Sequence, residues 1–154
     1  MKNVFYYETI IGSIGIADNG KEITDIFFKK DNILGDFNIA ETELIKKAIK
    51  QLNEYFNGTR ISFDLPLSLE GTDFQKLVWN TLKAIPYGET KSYKDIAEAI
   101  GNPQACRAVG MANNKNPISI IIPCHRVIGS NGKLVGYGGG VEIKKQLLDL
   151  EKSY

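Results

Sequence analysis

Ser92-Tyr93-Lys94-Asp95-Ile96-Ala97-Glu98-Ala99-Ile100-Gly101-Asn102-Pro103-Gln104-Ala105-Cys106-Arg107-Ala108-Val109-Gly110-Met111-Ala112-Asn113 reads as two short helices joined by a tight turn. Ser92 suits the cap of the first, which runs from Tyr93 to Ile100 and stops at Gly101. Asn102 and Pro103 are the cap and first-turn residues expected for the second, which extends to about Asn113. A helix pair around a glycine turn is the helix-turn-helix pattern. The second helix carries Ala105, Ala108, Val109 and Ala112, side chains small enough to let it approach another surface closely. Arg107 then stands above a low surface, as a projecting finger or as an ordinary solvated arginine.

Upstream, the periodicity changes character. Val4 to Tyr7, Ile10 to Ala17 and Ile23 to Phe28 are β-branched and aromatic, and Asp18-Asn19-Gly20 is a hairpin signal. Thr42 to Phe56 repeats its apolar residues at helical spacing and ends at Asn57-Gly58. Ile61 to Leu69 is a further extended piece. Thr72 with Gln75 forms a capping box that opens a helix carrying Phe74, Leu77, Val78, Trp79 and Leu82. The fold class expected is α+β. A small N-terminal lobe, 1–70, has an antiparallel sheet plus a helix. A mainly helical C-terminal lobe, 71–154, contains a winged-helix-like helix-turn-helix.

Downstream lies Ile121-Ile122-Pro123-Cys124-His125-Arg126-Val127-Ile128, which sets a thiol beside the one histidine of the chain. Cysteine attacks as the thiolate and needs a base or a positive field. His125 is the side chain whose ordinary pKa lies near neutrality. A cysteine after an isoleucine run is also commonly a small buried hydrophobe. In a regular strand Cys124 and His125 would face opposite ways, so contact requires a turn at Pro123 or a bridging water. Gly136 to Gly140 is too glycine-rich to build a core and suits backbone that approaches a ligand. Glu142 to Glu151 reads as a last helix with Ile143, Leu147, Leu148 and Leu150 inward.

Composition narrows the classes. With 154 residues, 43% hydrophobic and 24% charged, the chain is of ordinary globular make-up. No apolar run reaches the roughly 18 residues of a membrane span, and the N-terminus has no signal-peptide pattern. Cys106 and Cys124 form neither a C-x-x-C motif nor a disulfide framework, which suits the cytoplasm. Too few soft ligands exist for a structural zinc site, so no metal is expected. No phosphate-cradling or dinucleotide motif is present, so no cofactor is expected. The net charge of +1 decides nothing, but residues 99–141 contain Arg107, Lys115, Arg126 and Lys133 with no Asp or Glu. A surface that faces phosphates has that balance, as does a neutral buried segment.

The chain from Tyr87 to Glu151 resembles the O6-alkylguanine-DNA alkyltransferases (methylated-DNA–protein-cysteine methyltransferases). The resemblance rests on Arg107-Ala108-Val109-Gly110, Asn116-Pro117, Ile122 to Val127, Gly136-Tyr137, Gly139-Gly140, and Leu147-Leu148 with Glu151. It implies irreversible, single-turnover transfer of an alkyl group from O6 of guanine, and from O4 of thymine, to Cys124. His125 would act as base through a water, Glu151 would orient it, and Tyr137 would donate to the departing guanine. Backbone at Cys124, Val127 and Gly138 would read the base, with Ser119, Pro123 and Gly139 lining the pocket. Asn116 would tie the helix to the nucleophile segment. Double-stranded alkylated DNA would be engaged by its minor groove and the base flipped out, with Tyr93 pushing the phosphate and Arg107 filling the stack. Ala105, Ala108, Gly110 and Arg126 complete the expected DNA face, and a monomer is expected. Ser119 stands where many relatives carry proline, which bears on alkyl size. A recognition protein without transfer, a plain helix-turn-helix regulator and a cysteine hydrolase are the alternatives. The first lacks the family cysteine, and the second leaves Pro123-Cys124-His125 without a role.

Overall fold

The computed structural model describes residues 1–28, 36–134 and 140–153. The chain divides into two compact units, Met1–Leu69 and Glu70–Tyr154.

The first unit is a sheet with one helix. Strands β1 (Lys2–Thr9), β2 (Gly12–Asp18), β3 (Ile23–Phe28) and β4 (Phe37–Ile39) lie in the order β3-β2-β1-β4. β1–β2 and β2–β3 are antiparallel hairpin pairs, but β4 runs parallel to β1. The sheet is antiparallel as expected except at this short β4 edge. The chain leaves β3 at one edge and re-enters at the other, so no hairpin dictates the direction of β4. The second strand also starts later than expected. Ile10 and Ile11 form the turn, closed by the Thr9 hydroxyl donating to the Gly12 carbonyl at 2.7 Å, with Gly12 at φ +105°. Residues 61–69 form no strand. They contribute one bridge, Leu67 to Ile23.

Helix α1 (Glu43–Phe56) is capped by Thr42, whose hydroxyl accepts from Ile45 N. It ends in a Schellman turn, with Thr59 N bonded to Glu54 O and Gly58 N to Tyr55 O. Ile45, Ala48, Leu52, Tyr55 and Phe56 are buried along one face, and the larger apolar side chains contribute roughly 1.5–3 kcal/mol each when fully buried. Asp18 is 1% exposed and gathers three donors. Its carboxylate accepts from Asn3 Nδ2 (2.9 Å), Thr42 Oγ1 (2.5 Å) and Gly20 N (3.2 Å). One buried carboxylate thereby joins β1, the β2–β3 turn and the start of α1.

The second unit opens with α2 (Asp73–Lys83), held by the full Thr72–Gln75 capping box. Trp79, 1% exposed, donates from Nε1 to Ala112 O at 2.8 Å. Strand β5 (Lys91–Ser92) leads into α3 (Tyr93–Ala99), where Ser92 and Asp95 form a second capping box. A Schellman turn at Gly101 (φ +80°) ends α3. Helix α4 is Cys106–Asn114. It starts later than the expected Pro103, because Ala105 N bonds to Asn102 O and closes a separate turn. Asn102 is thus a turn residue and not the cap. A 3₁₀ turn, Cys124–Arg126, precedes β6 (Val127–Ile128), which pairs in parallel with β5. Helix α5, Val141–Ser153, closes the unit. Among the described residues no helix is long and apolar enough to cross a membrane.

Replacing Asp18 by alanine strands three donors. Asp18→Ala is expected to lower unfolding free energy by about 2–3 kcal/mol, read as a lower urea midpoint. A midpoint shift worth under about 0.5 kcal/mol would contradict the joining role.

Candidate active site

The run before Cys124 is not a strand. Asn116 spans the loop, accepting from Ile118 N at 3.0 Å and donating Nδ2 to Ile122 O at 2.7 Å. Within it Ile121 N bonds to Ser119 O at 2.9 Å around Ile120, whose φ is +74°. An i to i+2 bond around a positive φ is the rarer and more strained γ-turn. Among the described residues Ile120 is the one non-glycine at positive φ, and it is 1% exposed. Such a β-branched residue costs on the order of 1–3 kcal/mol and persists where its surroundings impose it.

Pro123 makes a second γ-turn of the opposite, common hand. Its φ and ψ are −81° and 64°, with Cys124 N bonded to Ile122 O at 2.8 Å. Arg126 N then bonds to Pro123 O at 2.9 Å and the chain coils into the 3₁₀ turn. The turn breaks the strand alternation that would send Cys124 and His125 to opposite faces. Both are buried, at 4% and 0% exposure.

Glu151 of α5 organises the groups around this turn. Its carboxylate lies 2.7 Å from His125 Nε2 and accepts Arg126 Nε at 2.9 Å and Nη2 at 3.0 Å. It also accepts Gly88 N at 3.1 Å. Gly88, at φ +81°, is the third residue of a turn from Pro86 to Glu89, a position that favours glycine. A carboxylate only accepts, so the neutral imidazole carries its proton on Nε2. Among the described residues Nδ1 is left as a buried acceptor with no hydrogen-bond partner. Burial holds the His125 pKa below its usual value, against the upward pull of Glu151, so the ring is neutral at pH 7. Burial pushes the Cys124 thiol up to about 11, with Asn116 and Lys144 acting in the opposite direction. Cys124 therefore rests as the thiol.

Arg126 requires a correction. The expectation sets it at DNA, but it is 7% exposed, forked onto Glu151, bonded to Ile85 O at 2.8 Å and set over the Tyr87 ring. Its charge is consumed inside the unit. Arg107 and Ala108 are exposed on α4, with Ala105 half-buried at its start. Gly110 lies against Tyr93: a Cβ there would stand 3.9 Å from the ring. Val127 is buried, and its carbonyl accepts from Lys144 Nζ. Ser119 is half-buried in the loop. Tyr137, Gly138 and Gly139 lie outside the described residues. Among those described, no group of three or more His, Cys, Asp or Glu is placed to hold a metal ion.

Two residues of the site do not stand out in the sequence. Lys144 of α5 is 0% exposed, sits 5.9 Å over the Tyr93 ring, and has its pKa lowered by burial to about 8. Asn113 of α4 is 1% exposed, with Nδ2 3.4 Å from Cys124 O. A signal for each exists. Lys144 shares helical spacing with Leu147, Leu148 and Glu151, and Asn113 with Val109 and Ala112, so each sits on an apolar face.

Both units match domains of one known family. Residues 73–153 match the family described as 6-O-methylguanine DNA methyltransferase, DNA binding domain, and residues 4–69 match its ribonuclease-like domain. The chain belongs to the 6-O-methylguanine DNA methyltransferase family. It is 52% identical over 150 residues to the methylated-DNA–protein-cysteine methyltransferase of Methanosarcina acetivorans, covering 96% of each chain. It is 46% identical over 152 residues to the constitutive one of Bacillus subtilis, covering 94% of this chain and 92% of that one. Its structure matches Mycobacterium tuberculosis OGT in complex with DNA at a TM-score of 0.93 and 47% identity, over 98% of this chain and 93% of that one.

Two outcomes are expected. The thiolate absorbance lost in Cys124→Ser should emerge as pH approaches about 11; emergence near 9 would contradict the desolvated thiol. The same sign makes stability fall as pH rises from about 9 toward 11, because the unfolded thiol ionises first. Second, Glu151→Gln strands the buried Arg126 charge and should cost about 3–5 kcal/mol. Adding Arg126→Met should restore much of that stability; if the double variant melts as low as the single, the stranded charge is not the cause.

Proposed function

We propose that the protein repairs alkylated DNA by direct reversal, moving a methyl or larger alkyl group from O6 of guanine, or O4 of thymine, irreversibly onto Cys124. The observation that carries this reading is the buried thiol one residue from a histidine whose Nε2 is committed to Glu151 while Nδ1 is not. His125 Nδ1 takes the thiol proton through a water. The sulfur then displaces the alkyl carbon, forming an S–C bond as the C–O6 bond breaks. The electron pair passes to the guanine, which leaves neutral by taking a proton from Tyr137, and the proton held by His125 returns through water to the tyrosinate. The thioether formed is not hydrolysed, so each molecule acts once. Reaction needs no redox partner, since the alkyl group moves as an electrophile.

Double-stranded DNA binds along α3 and α4, in the reading the helix-turn-helix supports. Arg107, exposed on α4, enters the stack through the minor groove as the lesion flips out, and Tyr93 acts on the adjoining phosphate. Ala105, Ala108 and Gly110 keep the helix low enough to enter. Asn116, Ser119, Pro123 and Val127, with Gly138 and Gly139, surround the base. The protein works as a monomer in the cytoplasm, and 71–154 is the domain that binds DNA and accepts the alkyl group. Family membership, and the named complex of the mycobacterial relative with DNA, support this reading.

Intact-mass measurement with peptide mapping tests it, after incubation with a duplex holding one O6-methylguanine. One methyl group on Cys124 per molecule, without turnover, is expected, and Cys124→Ser should gain none while retaining duplex binding. Transfer that survives in Cys124→Ser would overturn the nucleophile assignment.

A further inference from the structure

Lys144 lies in the first turn of α5, where its amide donates to Gly140 O at 3.1 Å. Its side chain is 0% exposed, a rare state for lysine. Nζ donates to the Val127 carbonyl at 2.5 Å and stands 5.9 Å from the centroid of the Tyr93 ring, within cation–π range. Val127 follows the 3₁₀ turn, and its own N–H donates to Cys124 O. Residue 127 is thus gripped at both main-chain groups, its N–H by the residue that carries the thiol and its carbonyl by α5.

This grip does not serve stability alone. An enclosed ammonium is costly before its contacts repay it, and methionine, of similar length, would fill the same space without that cost. What the ammonium supplies is direction. A carbonyl has two lone pairs, and a donor that holds one of them fixes where the other points. With the N–H of residue 127 committed, acceptance is what its main chain can offer to a bound base. Alkylation at O6 removes the ring N–H of guanine, so the exocyclic amine is the donor left on its pairing edge. Alkylation at O4 removes the ring N–H of thymine and leaves no donor at all.

We propose that Lys144 is a positioning residue for the choice of lesion. By holding the Val127 carbonyl it keeps the second lone pair set to accept the exocyclic amine of O6-alkylguanine, and so favours that lesion over O4-alkylthymine. The inference rests on the alkyl-transfer reading above, in which main chain at Val127 reads the base. Lys144 acts through that carbonyl oxygen, and the Tyr93 ring at the start of α3 gives the ammonium a second seat.

The test compares single-turnover transfer from duplexes holding O6-methylguanine or O6-methylhypoxanthine, which has hydrogen in place of the amine, with melting temperatures alongside. The wild type is expected to favour O6-methylguanine. Lys144→Met should cut that preference about fivefold, the worth of one hydrogen bond. Slowing common to both substrates is expected as well, because the Lys144 charge also favours the Cys124 thiolate, an effect that acts on every lesion alike. Lys144→Gln, too short to keep the contact, should lose the preference too, and stands in if the methionine variant does not fold. A preference unchanged in a folded variant, even one that transfers slowly, would overturn the positioning role. A wild type equally fast on both substrates overturns this inference alone. A wild type that leaves O6-methylguanine intact overturns the alkyl-transfer reading and this inference with it.

Discussion

A single carboxylate, Glu151, is the constraint on which the second unit depends. It is 3% exposed, and it draws in donors from His125, Arg126 and the Pro86–Glu89 turn. An isolated buried carboxylate would be prohibitively costly, and here a forked guanidinium neutralises it. Burial keeps the imidazole neutral, with the Arg126 charge acting in the same direction, so the ring holds a proton on one nitrogen and a lone pair on the other. Two adjacent residues thereby meet one carboxylate in different ways, Arg126 with its charge and His125 with a neutral N–H. The same carboxylate fixes where α5 meets the 3₁₀ turn, and so where Lys144 comes to lie.

Around this anchor Cys124 is placed by main chain more than by side chains. Two γ-turns of opposite hand, at Ile120 and Pro123, carry the chain from Asn116 to Cys124 with few residues and much curvature. Burial that raises the thiol pKa also keeps the resting sulfur protonated, which protects it from casual electrophiles. At pH 7 the site thus holds a thiol beside a neutral imidazole rather than a standing thiolate. This is a different strategy from cysteines whose pKa is depressed by a helix terminus or a fixed cation.

Much of this is legible in the residues. Local chemistry names its own elements: Thr72 with Gln75 and Ser92 with Asp95 are both full capping boxes, and Gly58 and Gly101 end their helices as glycines do. Cys124 and His125 declare themselves by type, and Pro123 by the geometry it forbids. What stays hidden is tertiary. Asn102-Pro103 has the local form of a helix start, yet the turn bond from Ala105 displaces it. Arg126 looks like a phosphate ligand until its buried partner is seen from another helix. The parallel position of β4 depends on a crossover with no turn signal. Lys144 and Asn113 are intermediate cases: a polar residue on an apolar helix face is a warning, but its partner lies on another element.

Ile120 sets local backbone preference and side-chain packing against each other at one position. The dihedral would suit glycine, while the nearly inaccessible side chain belongs in the core. The loop cannot creep to a relaxed conformation without pulling that side chain from its socket. Nor can the side chain shrink without leaving a void. The segment is consequently latched rather than sprung: the path of the main chain there is dictated by the core beneath it and not by its own torsional preference.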